Sequence, residues 1–205
     1  MDIIKLDDLL SPVNKIKIKT LLERDGIMIY PTDTLYGIGG NFFSLEAGAK
    51  IDFLKGRADM PYSAAVADCA MIERLTEELP AYFFELAKKI FPGKFTVLLK
   101  AAKSLDRALL KNNDKIGIRI PGHPRLMELL AYLEIPLIST SVNRSGLPPL
   151  QDAEQIKREF AGVELFIDAG PLPPSKGSTV LDLTVSPIRV IREGDDYEKI
   201  KDYLF

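Results

Sequence analysis

The sequence predicts an α/β protein built on a twisted, open, mixed sheet with flanking helices. Three observations carry that reading. Short apolar runs bounded by glycine or proline, such as residues 27–30 between Gly26 and Pro31, read as buried strands. Segments with helix-start signals and helical apolar spacing alternate with them through most of the chain. The late strands follow one another closely, which favours a mixed sheet over a purely doubly wound one. No repeat, low-complexity segment or linker interrupts the 205 residues, so 1–205 is expected to be one domain.

Taken in order, residues 3–6 read as a short strand. Ser11-Pro12 starts a helix to about Arg24, stopped by Gly26, although the Ile16/Ile18 alternation leaves a strand open there. After the strand at 27–30 come Pro31-Thr32-Asp33-Thr34, Tyr36 and the glycines Gly37, Gly39 and Gly40. This stretch reads as a ligand-holding loop beyond the strand's carboxyl end. Ser44 caps a helix ending at Lys55-Gly56-Arg57, with Leu45, Ala49, Phe53 and Leu54 as its apolar face. A strand at 63–67 precedes a helix starting at Asp68, and 79–90 is helical up to Pro92-Gly93. Strands at 95–100 and 116–120 flank a short helix at 105–110. His123-Pro124 opens a helix through Leu133, and a buried strand at 136–138 leads into the polar run 139–146. Asp152 caps a helix to about Phe160. Strands follow at 164–167, 179–183 and 188–191, and Tyr197, Ile200 and Leu204 suit a short closing helix.

Composition narrows the chemistry. The formal net charge of −2 argues against a polycation for nonspecific nucleic-acid binding, so any basic site must be local. One cysteine, Cys69, and one histidine, His123, rule out disulfide frameworks and the usual Cys/His zinc sites, and no metal site is expected. Cys69 at a helix start reads as a small apolar residue and not as a nucleophile. No long apolar run and no signal-peptide pattern is present, so a cytoplasmic protein without a membrane segment is expected.

Three small-polar clusters lie at strand ends: 32–40, 139–146 and Gly177-Ser178-Thr179. Hydroxyls and free amides there suit carboxylates, phosphates and ribose. Cations fall between them: Lys55, Arg57, Lys115, Arg119 and Arg192. Lys115 and Arg119 are four apart and share a strand face. Arg119 sits in the apolar run IGIRIP, where a charge should meet a ligand or a carboxylate. Neither GxxxxGK[ST] nor GxGxxG occurs. The Pro-rich approach at 171–176 is one candidate mobile flap.

PTDTLYGIGG, KGR, FPGKFTVLLK, IGIRIPGHP, STSVNRSG, STVLDLT and IREG, in this order and spacing, resemble the YrdC/TsaC family of threonylcarbamoyl-AMP synthases over roughly residues 10–195. The resemblance implies the single-domain form, and a reaction joining L-threonine, bicarbonate and ATP with release of pyrophosphate. Threonylcarbamoyl-transfer proteins then act on a tRNA adenosine beside the anticodon, with Mg²⁺ accompanying ATP and tRNA met indirectly or weakly. By motif position it implies that Thr34, Arg119, Ser141 and Ser178 hold threonine. Arg57, Lys115, Asn143 and Arg192 take the ATP side, and Lys55 and Arg57 form the catalytic Lys-x-Arg pair. Ala58, Ala65, Val142 and Gln151 depart from the usual family residues, which puts the threonine pocket near 60–65 under question. Two other readings share the fold. One is a noncatalytic YciO-like RNA-binding protein; the other is a carbamoyl-adenylating module like that of hydrogenase maturation factors.

Overall fold

Side-chain caps set the helix starts. Ser11, Ser44, Asp68, His123 and Asp152 each accept a hydrogen bond from the backbone N–H three residues on. Pro12 and Pro124 occupy first-turn positions, where a missing N–H has no consequence. The computed structural model describes residues 1–56 and 61–203. Its strands are β1 (Asp2–Lys5), β2 (Ile27–Pro31), β3 (Tyr36–Gly40), β4 (Ser63–Ala65), β5 (Phe95–Lys100), β6 (Lys115–Arg119), β7 (Leu137–Ser141), β8 (Leu165–Asp168), β9 (Thr179–Asp182) and β10 (Arg189–Arg192). The helices are α1 (Pro12–Glu23), α2 (Leu45–Lys55), α3 (Cys69–Leu75), α4 (Phe83–Ile90), α5 (Pro124–Leu133) and α6 (Ala153–Glu159).

The strands form one mixed sheet, as the alternating pattern predicts, and their order is β1-β8-β2-β3-β7-β4-β6-β5-β9-β10. β8 lies parallel between β1 and β2, while β2–β3 and β5–β6 pair antiparallel. β7 bridges the two halves, pairing with β3 on one side and β4 on the other. One core includes Ile29, Ile38, Ile118 and Val97 from one sheet face, with Ile51 of α2 and Leu86 of α4. The other joins Met28, Tyr30 and Leu137 to Leu22 of α1 and Leu129 of α5. α1 and α5 cover part of that second face. The uncovered part is the floor of the site.

Several local expectations are corrected. The glycine-rich stretch is a fully buried strand, β3, rather than a loop. Its glycines serve close packing: a Cβ on Gly39 would lie 1.9 Å from the Ile138 carbonyl oxygen, and one on Gly40 would lie 2.9 Å from Ala47 Cβ. α2 buries Ala47, Gly48, Ile51 and Lys55; of the stripe expected from spacing Leu54 packs partly against the core, while Leu45 and Ala49 are exposed and Phe53 is 85% exposed. The small residues win because Tyr62 packs against Gly48 and donates its hydroxyl to the Gly48 carbonyl at 2.8 Å. Residues 105–110 form turns instead of a helix, and α4 begins at Phe83 instead of Leu79. The chain from Tyr197 to Tyr203 forms two 3-10 turns, while Leu204 lies outside the described residues. At Ile16/Ile18 the helix prevails, with Ile18 buried and Ile16 exposed.

Candidate active site

The three polar clusters meet around one cavity of about 370 Å³. The turn after β2 supplies Thr32 and Thr34, β7 supplies Ser139 to Ser141, and the entry to β9 supplies Lys176 to Ser178. Ser63 of β4, Thr96 of β5, Arg119 of β6 and Arg192 of β10 add to its polar lining. Three cations, and no carboxylate among the described residues, face this space. Such a lining selects an anion.

The Thr32–Thr34 turn is locally determined. Thr32 Oγ1 accepts from the N–H groups of Thr34 at 3.1 Å and Leu35 at 3.2 Å, and donates to the Leu35 carbonyl at 2.7 Å. This turn aims Asp33 at Arg119. The Arg119 Nη2 donates to Asp33 Oδ1 at 2.5 Å, and the Gly122 N–H donates to Asp33 Oδ2 at 2.9 Å. Arg119 Nη1 reaches Thr34 Oγ1 at 3.4 Å. The Arg119 side chain is 9% exposed, and its Nε is buried with no hydrogen-bond partner. The guanidinium thus keeps one donor unsatisfied, in a residue that also lines the cavity.

Arg192 donates through Nε and Nη2 to the Ser178 carbonyl at 3.0 and 2.7 Å, and through Nη2 to Ser178 Oγ at 3.1 Å. The Ser178 hydroxyl also meets Thr96 Oγ1 at 2.9 Å. Burial, and then the like charge of Arg119, lower the Arg192 pKa from its usual value. An anion placed between the two guanidiniums would relieve that repulsion. Asp195 fixes the neighbouring wall: it accepts from Ser175 Oγ at 2.7 Å and from the Lys176 N–H at 3.0 Å, and pairs with Lys94 at 3.5 Å. The approach at 171–176, read from sequence as a candidate flap, is thus anchored at its carboxyl end.

The structure gathers Thr34, Arg119, Ser141, Ser178 and Arg192 at the cavity. Lys55 and Asn143 stand behind it. The Lys55 ammonium donates to the Ser141 carbonyl, to the Asn143 carbonyl at 2.9 Å and to Asn143 Oδ1 at 3.0 Å. Asn143 Oδ1 also accepts from Ser141 Oγ at 2.6 Å, while its Nδ2 donates to the carbonyls of Arg144 and Leu147 at 3.0 and 2.8 Å. Both side chains therefore hold the 141–147 loop in shape. Lys115 lies away from the cavity, with its ammonium 2.9 Å from the buried Asp182. Arg57, Ala58 and Met60 fall outside the described residues. Near that segment, Ser63 lines the cavity, whereas Ala65 is buried in the α1/α5 core. Asp33 and Asp195 escaped the sequence reading as site residues. The signal for Asp33 was the demand of Arg119 for a carboxylate; Asp195 gave none.

A family model described as "Telomere recombination", covering the Sua5/YciO/YrdC domain, matches residues 20–194. The chain belongs to this family. It is 37% identical over 170 residues to a putative threonylcarbamoyl-AMP synthase of Mycobacterium tuberculosis, covering 82% of this chain and 78% of the relative. Pyrococcus abyssi Sua5, solved in complex with L-threonine, superposes with a TM-score of 0.86 at 28% identity, covering 98% of this chain. This chain spans 59% of that protein's length. Escherichia coli YciO superposes with a TM-score of 0.79 at 29% identity, covering 88% of this chain and 90% of YciO. Among the described residues no helix is long and apolar enough to cross a membrane.

Proposed function

We propose that this member of the Sua5/YciO/YrdC family is a threonylcarbamoyl-AMP synthase. The threonine amine and bicarbonate give a carbamate with loss of water. A carbamate oxygen then attacks the α-phosphorus of ATP, and the bond to the bridging oxygen breaks to release pyrophosphate. The observation that carries this reading is the convergence of Arg119, Arg192 and Lys176, with no carboxylate among the described residues, on one cavity rich in hydroxyls. A substrate carboxylate meets the charge of Arg119, and Thr34, Ser141 and Ser178 supply hydroxyls around it. Arg192 and Lys176 face the phosphates, and motif position alone assigns Arg57 to the ATP side. Lys55 and Asn143 act by holding the loop that presents Ser141.

No side-chain nucleophile is needed, because the carbamate is the nucleophile. Orienting two bound reactants can lower the barrier by as much as about 7–11 kcal/mol, and cations stabilise the charge that grows on the phosphoryl oxygens. Among the described residues the lining offers hydroxyls and no carboxylate, so Mg²⁺ would enter with ATP as part of the substrate. Residues 1–205 act as a single cytoplasmic domain whose product passes to threonylcarbamoyl-transfer proteins and thence to tRNA. Incubation with ATP, Mg²⁺, bicarbonate and L-threonine should release pyrophosphate in proportion to threonine. Equal release without threonine, or none at all, refutes the assignment.

A further inference from the structure

Strand pairing puts Ser139 of β7, Ser63 of β4, Gly117 of β6 and Leu98 of β5 in one row on the cavity face. Directly paired residues point to the same side of a sheet. Ser139, Ser63 and Leu98 line the cavity, and Gly117 lies between the last two. A Cβ on Gly117 would stand 2.6 Å from Ser63 Oγ and 3.5 Å from Leu98 Cδ2. The Ser63 hydroxyl thus leans into room that only glycine leaves. It has no hydrogen-bond partner among the described residues, while Leu98 offers a methyl group on the other side. Gly117 lies two residues from Arg119 on the same face of β6, about 6–7 Å along the strand.

We infer that Ser63, Gly117 and Leu98 form the subsite for the side chain of the amino-acid substrate. The inference rests on the threonine-using reading above. Ser63 bonds the side-chain hydroxyl, Leu98 packs against the methyl, and Gly117 sets the depth. A branched side chain with one hydroxyl and one methyl on the same carbon needs one polar and one apolar neighbour there. Serine leaves the Leu98 side unfilled, and valine leaves the Ser63 hydroxyl without a partner.

The test uses the full chain and its Ser63→Ala and Gly117→Ala variants, titrated calorimetrically with L-threonine, L-valine and L-serine, alongside pyrophosphate release. The unmutated chain should prefer threonine to valine. Ser63→Ala should cut that Kd ratio about tenfold, the effect of one lost hydrogen bond, by weakening threonine while sparing valine. Gly117→Ala should weaken threonine and valine more than serine; if circular dichroism shows it unfolded, Ser63→Ala decides alone. An unchanged threonine-to-valine ratio in Ser63→Ala, with threonine-dependent pyrophosphate release intact in the unmutated chain, overturns the subsite and leaves the enzyme standing. No threonine binding by the unmutated chain overturns both.

Discussion

Removing Asp33 probes the centre of the site. Its carboxylate and the Arg119 guanidinium are each 9% exposed and 2.5 Å apart, so Asp33→Ala leaves a buried cation without its anion. Breaking such a pair costs about 3–5 kcal/mol. The cavity admits water to Arg119, and Thr34 Oγ1 remains within 3.4 Å, so the lower end applies. About 3 kcal/mol in a chain of this size lowers Tm by roughly 6–12 °C. Arg119→Ala strands Asp33 in turn but removes the repulsion on Arg192, so it should cost less. The double variant should fall well short of the sum of the two singles. Urea unfolding of all four proteins closes the cycle. Additivity within about 0.5 kcal/mol would mean that the pair is not coupled, and the account of Arg119 fails. Sulfate should also stabilise Asp33→Ala more than the unmutated chain, by supplying the missing charge.

Gly39→Ala drives a Cβ into the Ile138 carbonyl, 1.9 Å away, and should lose more than about 3 kcal/mol in denaturant unfolding, beyond ordinary overpacking. Lys55→Met strips the 141–143 loop of a charged donor and should cost about 1.5–3 kcal/mol, with the KM for threonine rising through a misplaced Ser141; equal KM values would exclude a loop-holding role. Burial, opposed by Asp33 and aided by Arg125, keeps the His123 pKa below 6.5. The native imidazole stays neutral while the unfolded chain takes up a proton. Its contribution is therefore complete above about pH 6.5 and lost as pH falls through the lower folded value. His123→Asn keeps a cap for α5 and should flatten that slope in unfolding measured from pH 7 downward.

Much of the architecture could be read from local chemistry. Ser11, Ser44, Asp68 and Asp152 announce helix starts through interactions confined to four residues. The apolar runs of β2 and β6 do the same for buried strands. The failures lie where tertiary contact decides. Spacing alone ranks Leu45, Ala49 and Phe53 as the better buried stripe of α2, yet Tyr62, from a separate segment, selects the small-residue side. The glycines of β3 look like a ligand loop until Ile138 is seen pressing on Gly39. At the site, family motifs located Thr34, Ser141, Ser178, Arg119 and Arg192, but not that Lys55 and Asn143 turn inward to each other. That arrangement depends on the approach of α2 to β7, which no motif encodes. Lys115 was placed on the right face of β6, but Asp182, 67 residues away in sequence, holds it.

The sheet order has a bearing on biosynthesis. Among the described residues β1, at Asp2–Lys5, pairs only with β8, whose register runs from Leu165 to Asp168, and β2 also needs β8 on its outer side. A nascent chain can close the β2–β3 hairpin early, but its first strand finds no partner until more than four-fifths of the polypeptide has been made. At elongation rates of about 5–20 residues per second, that edge waits several seconds or longer as it leaves the ribosome, open to pairing with a neighbouring nascent chain.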